Sequence, residues 1–402
     1  MDRRQFLHRV GLGAAAFGAV PWAARMARAQ ESVTLPFGAG ERALVAYPQK
    51  RPLIQMTARP PQLETPFSVF DEGVITPNDA FFVRYHLADI PLSIDPDTFR
   101  VDVKGKVDRP LSLSLADLKA MEPIEIVAVN QCSGNSRGFF EPRVAGGQLA
   151  NGAMGNARWR GAPLKAVLDR AGVQASARQV VFGGLDGPVL PATPDFVKAL
   201  DIDHARDGEV MLAYAMNGED LPFLNGFPLR LVVPGRYGTY WVKHLNEIEV
   251  VDGVYGGFWM QSAYRIPDNA CACVEPGKAP SKTTPIQRFD VRSFITNLAD
   301  GAKVPAQADV LVKGVAFDGG EGVTEVLLSA DDGVSWSGAR LGEDLGRYSF
   351  REWRAQIRLP PGEHVLRVRA VNRIGQSQPM EPLWNPAGYM RNVTERVRVL
   401  AA

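Results

Sequence analysis

The chain has 402 residues, enough for two or three domains with their own hydrophobic cores. Its 45 lysine and arginine residues nearly balance 44 aspartate and glutamate residues, for a formal net charge of +1. This balance gives no reason to expect nucleic acid or a charged membrane surface as a partner.

The first 29 residues are typical of a twin-arginine export signal. Arg3 and Arg4 precede a short run of small and apolar residues, Val10 to Val20, and then the cleavage pattern Ala27-Arg28-Ala29. A transmembrane anchor is the weaker alternative, because this run is well below the roughly 18 residues that a span needs. Since this route exports folded proteins, we predict a periplasmic enzyme that carries a complex cofactor.

The mature chain begins with a segment rich in proline and turn residues, so residues 30–62 are expected to form an extended arm. Residues 81–87 then form an apolar strand that presents Arg84 and His86 on one face. The alternative is a surface arginine and a histidine with structural partners only. Ser114 and the residues after it indicate a short capped helix.

The most informative stretch is the strand Ile124 to Gln131, which runs directly into the loop Cys132-Ser-Gly-Asn-Ser-Arg137. A thiol at a strand end can face a cleft, and Arg137 could favour its thiolate, the form that acts as nucleophile or metal ligand. The alternative for Cys132 is a small apolar core residue.

Further elements follow the cysteine loop. Residues 159–163 are expected to begin a helix that Gly172 ends, and a strand beginning near residue 180 leads to Asp186. The glycine-containing turn from Gly235 to Lys243 carries cations and could place backbone N–H groups and a lysine beside phosphate.

Cys271 and Cys273 are separated by one residue, and they could hold a metal, form a strained disulfide or have no function. We favour no function, because one intervening residue suits a disulfide poorly and no histidine is nearby. The chain also lacks a C-x-x-C-H motif, so it carries no covalent c-type haem.

A proline-rich linker is predicted at 274–285, and the remainder of the chain has a different pattern. Apolar residues alternate with polar ones in several short segments of residues 286–402, which are separated by turns such as Asp331-Asp-Gly333. Such spacing predicts a β-sandwich, with no catalytic residues of its own, that packs on the first domain or on another subunit.

Taken together, several motifs resemble the sulfite oxidase family of molybdenum enzymes, in particular the molybdenum subunits of bacterial periplasmic sulfite dehydrogenases. The motifs are the residues around Arg84 and His86, the Cys132 loop, Gly226 to Gly235, Trp241 to Lys243, and Tyr264 with Arg265. The resemblance implies an α+β fold with a molybdopterin-binding catalytic domain at 63–273 and an immunoglobulin-like dimerisation domain at 286–402.

The resemblance also implies roles for individual residues. Cys132 would ligate molybdenum, as a soft thiolate suits a metal already held by the dithiolene sulfurs of molybdopterin. Arg84, Arg137 and Tyr264 would lie around the sulfite pocket. Arg265 occupies a position where relatives often have lysine. The pterin and its phosphate would be held by His86, Asp186, Arg230, Trp241, Val242 and Lys243.

Some positions depart from the family pattern. Tyr85 replaces a common asparagine, and Asn225 stands where animal relatives have a pterin-binding histidine. Ala387 replaces an arginine that reaches the sulfite pocket in animal enzymes, and Arg391 is close enough in sequence to be considered as a substitute, although we do not favour it.

The implied reaction is oxidation of sulfite to sulfate by oxygen-atom transfer at a molybdenum-molybdopterin centre. Electrons would pass to a c-type cytochrome, either a subunit or a transient partner, and the C-terminal domain could form a homodimer. One alternative is a periplasmic molybdenum-dependent sulfoxide reductase, in which electrons flow inward. Another is a binding module that has kept the fold and lost the cofactor.

Overall fold

The computed structural model describes residues 31–402, so the predicted export signal lies outside the described residues. Residues 30–62 were expected to form an extended arm, but residues 32–64 contribute four strands of an antiparallel sheet. A small core of Leu53, Leu63, Val83 and Tyr85 stabilises it. The strands, in both chain and sheet order, are β1 (Ser32–Thr34), β2 (Glu41–Val45), β3 (Leu53–Thr57), β4 (Gln62–Glu64) and β5 (Val83–Arg84).

The central part of the chain forms two further sheets with short helices. Its elements are β6 (Arg100–Gly105), β7 (Leu111–Ser114), α1 (Leu115–Lys119), β8 (Ile124–Gln131), β9 (Met154–Pro163), α2 (Leu164–Ala171), β10 (Gln179–Gly184), β11 (Lys198–Asp201), α3 (Ile202–Ala205), β12 (Met211–Met216), β13 (Glu219–Asp220), β14 (Arg230–Val232) and β15 (Leu245–Val251). One sheet has the order β11-β10-β15-β6-β7, and the other has the order β13-β12-β9-β8 with β14 paired to β12.

The predicted helix after residue 159 begins later than expected. Residues 159–163 belong to β9, where Trp159 is buried between exposed Arg158 and Arg160 and the strand pairs with β8 and β12. Pro163 ends this strand, and α2 then extends to Gly172, whose φ of +73° ends the helix as predicted. The capped helix at Ser114 also forms, with the side chains of Ser114 and Asp117 each accepting the other's backbone N–H.

Helix α4 (Phe258–Gln261) and the hairpin β16 (Arg265–Pro267) and β17 (Thr283–Pro285) lead to the C-terminal part. The segment between these two strands differs from the prediction that one intervening residue would suit a disulfide poorly. Cys271 and Cys273, for which no function was favoured, are joined by a disulfide bond. Ala272 adopts a φ of +49°, and this left-handed residue lets the chain reverse between the two cysteines.

Residues from 291 onward form the predicted β-sandwich. Its strands are β18 (Arg292–Ile295), β19 (Ala302–Val304), β20 (Asp309–Phe317), β21 (Val323–Ser329), β22 (Ser337–Gly338), β23 (Arg340–Leu341), β24 (Arg351–Arg358), β25 (Gly362–Asn372) and β26 (Arg396–Ala401). The sheets have the orders β18-β20-β24-β23 and β19-β26-β25-β21-β22, and Trp353, Val312 and Leu366 lie between them.

The main hydrophobic core continues from the central sheets into the sandwich, since Phe289, Phe317 and Phe350 belong to the same cluster as Trp159 and Trp241. The central sheets and the sandwich therefore pack against each other through a shared core. Within residues 31–402, the helices are all too short or too polar to span a bilayer.

Candidate active site

A cleft lies where β5, the end of β8 and the segment from β14 to β15 meet. The cleft brings together residues that are far apart in the sequence. The predicted site residues that line it are Arg84, His86, Cys132, Asp186, Arg230, Trp241, Lys243 and Tyr264.

Cys132 follows β8 directly and is half-buried at the wall of the cleft. Its backbone N–H donates to the carbonyl of Ala153 (2.9 Å), and its own carbonyl accepts from the N–H of Asn135 (3.0 Å). These bonds fix the loop, so the thiol faces the cleft and is not enclosed in the core. In the part of the chain that the structure describes, Cys132 is the free cysteine and no cluster of His, Cys, Asp and Glu could hold a metal alone.

His86 and Tyr264 form a contact across the cleft wall. His86 Nε2 and Tyr264 Oη are 2.5 Å apart, and the imidazole ring stacks on Phe196 with ring centroids 3.5 Å apart. Burial lowers the pKa of His86 well below its ordinary value, and nearby Arg84 and Lys243 lower it further. The imidazole is therefore neutral near neutral pH, and it positions the Tyr264 hydroxyl.

Arg230 and Lys243 place positive charge at the inner end of the cleft. Arg230 is buried, donates to the carbonyls of Asn225 (2.8 Å) and Trp241 (3.3 Å), and lies 5.0 Å from the Trp159 ring centre. The Lys243 ammonium donates to the Arg84 carbonyl. Among the described residues, no carboxylate lies within ion-pair distance of either cation.

Burial dominates the titration of this inner end. It lowers the pKa of Lys243 to about 7, with Arg230 as the next cause, and it raises the pKa of Asp186 to about 6. A bound anion would oppose the shift of Lys243, because opposite charge favours the ammonium form.

Lys50, which the sequence analysis missed, reaches the same region from the turn between β2 and β3. Its ammonium is buried and donates to Asn225 Oδ1 (2.5 Å) and to the carbonyl of Phe81 (3.0 Å). Burial lowers its pKa to about 7. Local sequence carried no signal for it, since Lys50 lies between turn residues in the segment expected to be an arm.

Tyr85, which departs from the family pattern as Asn225 does, lies beside Lys243. Its hydroxyl is 2.7 Å from His244 Nε2, and its ring lies 4.0 Å from the Lys243 ammonium. The Tyr85 ring therefore packs against the Lys243 ammonium in a cation–π contact.

Arg137 lies next to the cleft and not among its lining residues. Its Nε donates to the carbonyl of Ala387 (3.0 Å), and its guanidinium lies 4.9 Å from the ring centre of Tyr389. Tyr389 in turn stacks on Tyr264, with centroids 5.4 Å apart and an interplanar angle of 8°. Tyr389 was not identified from the sequence, and it joins Arg137 to the cleft wall.

Three other residues do not face the cleft. Arg265 is turned away and donates to Thr283 Oγ1 (2.8 Å) and to the carbonyl of Met260 (2.9 Å). Tyr264 has a φ of +57°, which turns the chain so that these neighbours point apart. Val242 is buried in the core, and Arg391, the possible substitute at the sulfite pocket, pairs with Glu395.

Comparisons with known proteins give matches to two family models and to several relatives. The family described as oxidoreductase molybdopterin binding domain matches residues 87–259, and the Mo-co oxidoreductase dimerisation domain matches residues 283–401. Sulfite oxidase of Gallus gallus is 34% identical over 87% of this chain and 78% of its own length. Mitochondrial sulfite oxidase of Homo sapiens is 36% identical over 88% of this chain, which spans 66% of the human enzyme.

Among solved structures, the sulfane dehydrogenase SoxCD from Paracoccus pantotrophus superimposes with a TM-score of 0.72. The match covers 96% of this chain and 92% of that chain at 24% identity. At this level of identity, the match shows that the two chains share a fold. The matches confirm the predicted α+β class with its two-domain architecture and the molybdopterin cofactor.

The cleft also fits such a cofactor by its own chemistry. Several buried side-chain polar atoms lack a hydrogen-bond partner within residues 31–402, and three of them, Arg230 Nε, Ser133 Oγ and Thr239 Oγ1, belong to residues that line the cleft. Because unpaired buried polar atoms are costly, these atoms indicate a polar ligand. Arg230 and Lys243 suit its phosphate, and the Cys132 thiolate suits a soft metal.

Proposed function

We propose, since this chain belongs to the sulfite oxidase family of molybdopterin-dependent oxidoreductases, that it oxidises sulfite to sulfate and delivers the electrons to a c-type cytochrome. The observation that carries this proposal is one cleft in which the free thiol of Cys132 faces Arg84 and Tyr264, with buried cations behind. In balanced form, sulfite and water give sulfate, two protons and two electrons, and two molecules of the carrier each accept one electron.

One set of residues would hold the cofactor, and another would bind sulfite. Cys132 would hold molybdenum, while Arg230 and Lys243 would hold the phosphate of the pterin. When bound, the molybdenum centre supplies two-electron oxidation by oxygen-atom transfer. The protein contributes binding, orientation and electrostatic stabilisation.

Arg84 and Arg137 would bind the substrate. Sulfite is a small dianion near neutral pH, and guanidinium groups form charge-assisted hydrogen bonds with its oxygens. Arg84 lies at the cleft, whereas Arg137 is held beside it by Ala387 and Tyr389. Their positive charges favour the dianion over neutral molecules of similar size.

Tyr264 would orient sulfite through its hydroxyl. Burial raises the pKa of this phenol above its ordinary value, so the proton stays on the oxygen at neutral pH. The neutral His86 imidazole holds this oxygen in place. The hydroxyl is therefore available for hydrogen bonding while its ring is fixed between His86 and Tyr389.

The cellular setting is part of the proposal. The twin-arginine pattern in residues 1–29 supports export of the folded holoenzyme to the periplasm, where c-type cytochromes carry electrons. The matched dimerisation domain supports self-association through residues 283–401.

Two parallel assays on the purified holoenzyme test this function. Sulfite-dependent reduction of cytochrome c supports it, while sulfoxide-dependent oxidation of a reduced viologen dye measures the competing reductase activity. Sulfite activity without sulfoxide activity is the expected result. Dye oxidation with sulfoxide and no sulfite turnover would assign the reductase reaction instead.

A further inference from the structure

Three loops on one side of the cleft carry a concentration of exposed apolar side chains. The loops are residues 88–98, 185–197 and 252–257, the last taken together with Phe258, the first residue of α4. In residues 31–282, every large apolar side chain that is exposed lies on one of them: Leu92, Leu185, Val189, Leu190, Val254 and Phe258. We call this surface the apolar rim. Such clustering is typical of interaction sites, whereas scattered exposed apolar residues need no explanation.

Backbone and side-chain bonds connect the loops of the rim. Asp89 and Gly187 exchange two backbone hydrogen bonds, of 3.2 and 2.7 Å. Trp259, which follows the third loop, donates from Nε1 to the carbonyl of Pro194 across 3.2 Å. These contacts make the three loops one continuous surface.

A chain of aromatic contacts leads from the cleft to this surface. His86 lines the cleft and stacks on Phe196, Phe196 contacts Trp259 with centroids 5.2 Å apart, and Trp259 contacts Phe258 at 5.0 Å. Phe258 is 45% exposed. The rim is thus separated from the cleft by a few packed rings, and electron transfer requires short packed distances because its rate falls steeply with separation.

The charge of the rim indicates the kind of partner. The three loops contain no lysine or arginine, and their aspartates are Asp89, Asp95, Asp97, Asp186, Asp195 and Asp252. Asp186 is buried in the cleft, and Asp252 pairs with Lys106 at 2.7 Å. Asp89, Asp95, Asp97 and Asp195 are exposed and give the rim a negative field. A field of this kind attracts a positively charged protein and raises its association rate.

We propose that the apolar rim is the docking surface of the electron acceptor, and that this acceptor is a small basic one-electron carrier protein. The carrier would place the exposed edge of its redox group against Leu190 and Phe258, with lysines around that edge facing the aspartates. Contacts between redox proteins are small and transient, which suits a modest apolar patch with charges around it. This inference rests on the proposed function.

Two variants separate the apolar from the charged contribution. The first is Leu190→Ser with Phe258→Ser, and the second is Asp89→Asn with Asp195→Asn. The asparagine at 195 keeps an oxygen for the hydrogen bond that Asp195 accepts from the Phe196 N–H. Val334→Ser is the matched control, because Val334 is 85% exposed but lies in the C-terminal sandwich.

Each holoenzyme is assayed with sulfite and either ferricyanide or a basic cytochrome c as acceptor. Ferricyanide needs no protein docking surface, so its rate should be the same in all variants. The KM for cytochrome c should rise about tenfold in both rim variants and stay unchanged in the control. For the wild type, this KM should rise with salt, and the Asp89→Asn, Asp195→Asn variant should reduce that dependence.

The outcomes distinguish the two proposals. Absence of sulfite-dependent ferricyanide reduction in the wild type would refute the proposed function. Normal ferricyanide rates together with an unchanged KM for cytochrome c in both rim variants would refute the docking surface alone. A wild-type preference for an acidic over a basic cytochrome would also refute the proposed partner.

Discussion

Arg137 donates from Nε to the backbone carbonyl of Ala387 across 3.0 Å. This bond ties the Cys132 loop to the C-terminal segment that contains Ala387, the position where the resemblance implied an arginine. At this position the chain therefore supplies a carbonyl that orients Arg137, and not a second guanidinium. Tyr389 supports the same side chain from one face, so Arg137 is held ready beside the cleft.

Replacing Arg137 should weaken substrate binding. We expect Arg137→Met to raise the KM for sulfite about ten- to a hundredfold with a smaller effect on kcat, because a charge-assisted contact contributes about 1.5 to 3 kcal/mol. Steady-state kinetics with ferricyanide measure this without a docking partner. Arg160→Met, at an exposed arginine on β9, is the control and should leave the KM unchanged. Equal kinetics in both variants would exclude Arg137 from sulfite binding.

Replacing the Cys132 thiol should remove the metal ligand. We expect Cys132→Ser to lose sulfite oxidation while keeping the fold, because a hydroxyl is a far poorer ligand for a soft metal than a thiolate. Circular dichroism would check the fold, and metal analysis beside activity would check the site. Full activity in Cys132→Ser would show that the thiol is not the ligand.

Replacing Lys243 should reduce the retention of the pterin. Among residues 31–402, no carboxylate lies within ion-pair distance of its ammonium, and Asp186 in the same cleft acts on it only from a longer distance, so a phosphate is its expected close counter-charge. Lys243→Met should therefore yield protein with less pterin per chain, measured by fluorescence after oxidative release of the cofactor. Lys278→Met, at an exposed lysine, should retain the wild-type content. Equal pterin content in the two variants would contradict the assignment.

Glu64 should make stability depend on pH. Its side chain is buried, Oε1 accepts from the Ala150 N–H (2.8 Å), and burial raises its pKa from 4.5 to about 8. The folded state then binds a proton more tightly than the unfolded state, so stability is full below pH 4.5 and falls as the pH rises toward 8. Each pKa unit corresponds to about 1.4 kcal/mol, so the effect amounts to a few kcal/mol.

The variant Glu64→Gln tests this, because glutamine stays neutral at every pH. Its Tm should match the wild type at pH 5 and exceed it by a few degrees at pH 9. Glu122→Gln, at an exposed carboxylate, should behave like the wild type at both values. A wild-type Tm at pH 9 equal to that of Glu64→Gln would contradict ionisation of a buried carboxyl group.

Much of the architecture could be predicted because local pattern and tertiary structure agree. The apolar run before Cys132 forms a strand, and a loop follows it. The period-two segments near the C-terminus form the sandwich. In the sandwich the alternation indicates which face is buried, whereas the strand before Cys132 is recognised as a short apolar run, because its last five residues are all buried.

Other features depended on contacts between distant segments. Lys50 reaches Asn225, 175 positions away, and residues 32–64 become strands only by pairing toward β5. The outward direction of Arg265 follows from the backbone of Tyr264, and the disulfide follows from the turn at Ala272. None of these features has a local periodicity, so sequence patterns could not reveal them.

The most direct test is the molybdenum content of the purified holoenzyme, measured together with sulfite-dependent reduction of cytochrome c. We expect about one molybdenum per chain, since Cys132 supplies one thiolate, together with sulfite-dependent reduction of cytochrome c. Protein that folds, lacks molybdenum and leaves sulfite unoxidised after production in a cofactor-competent host would contradict it.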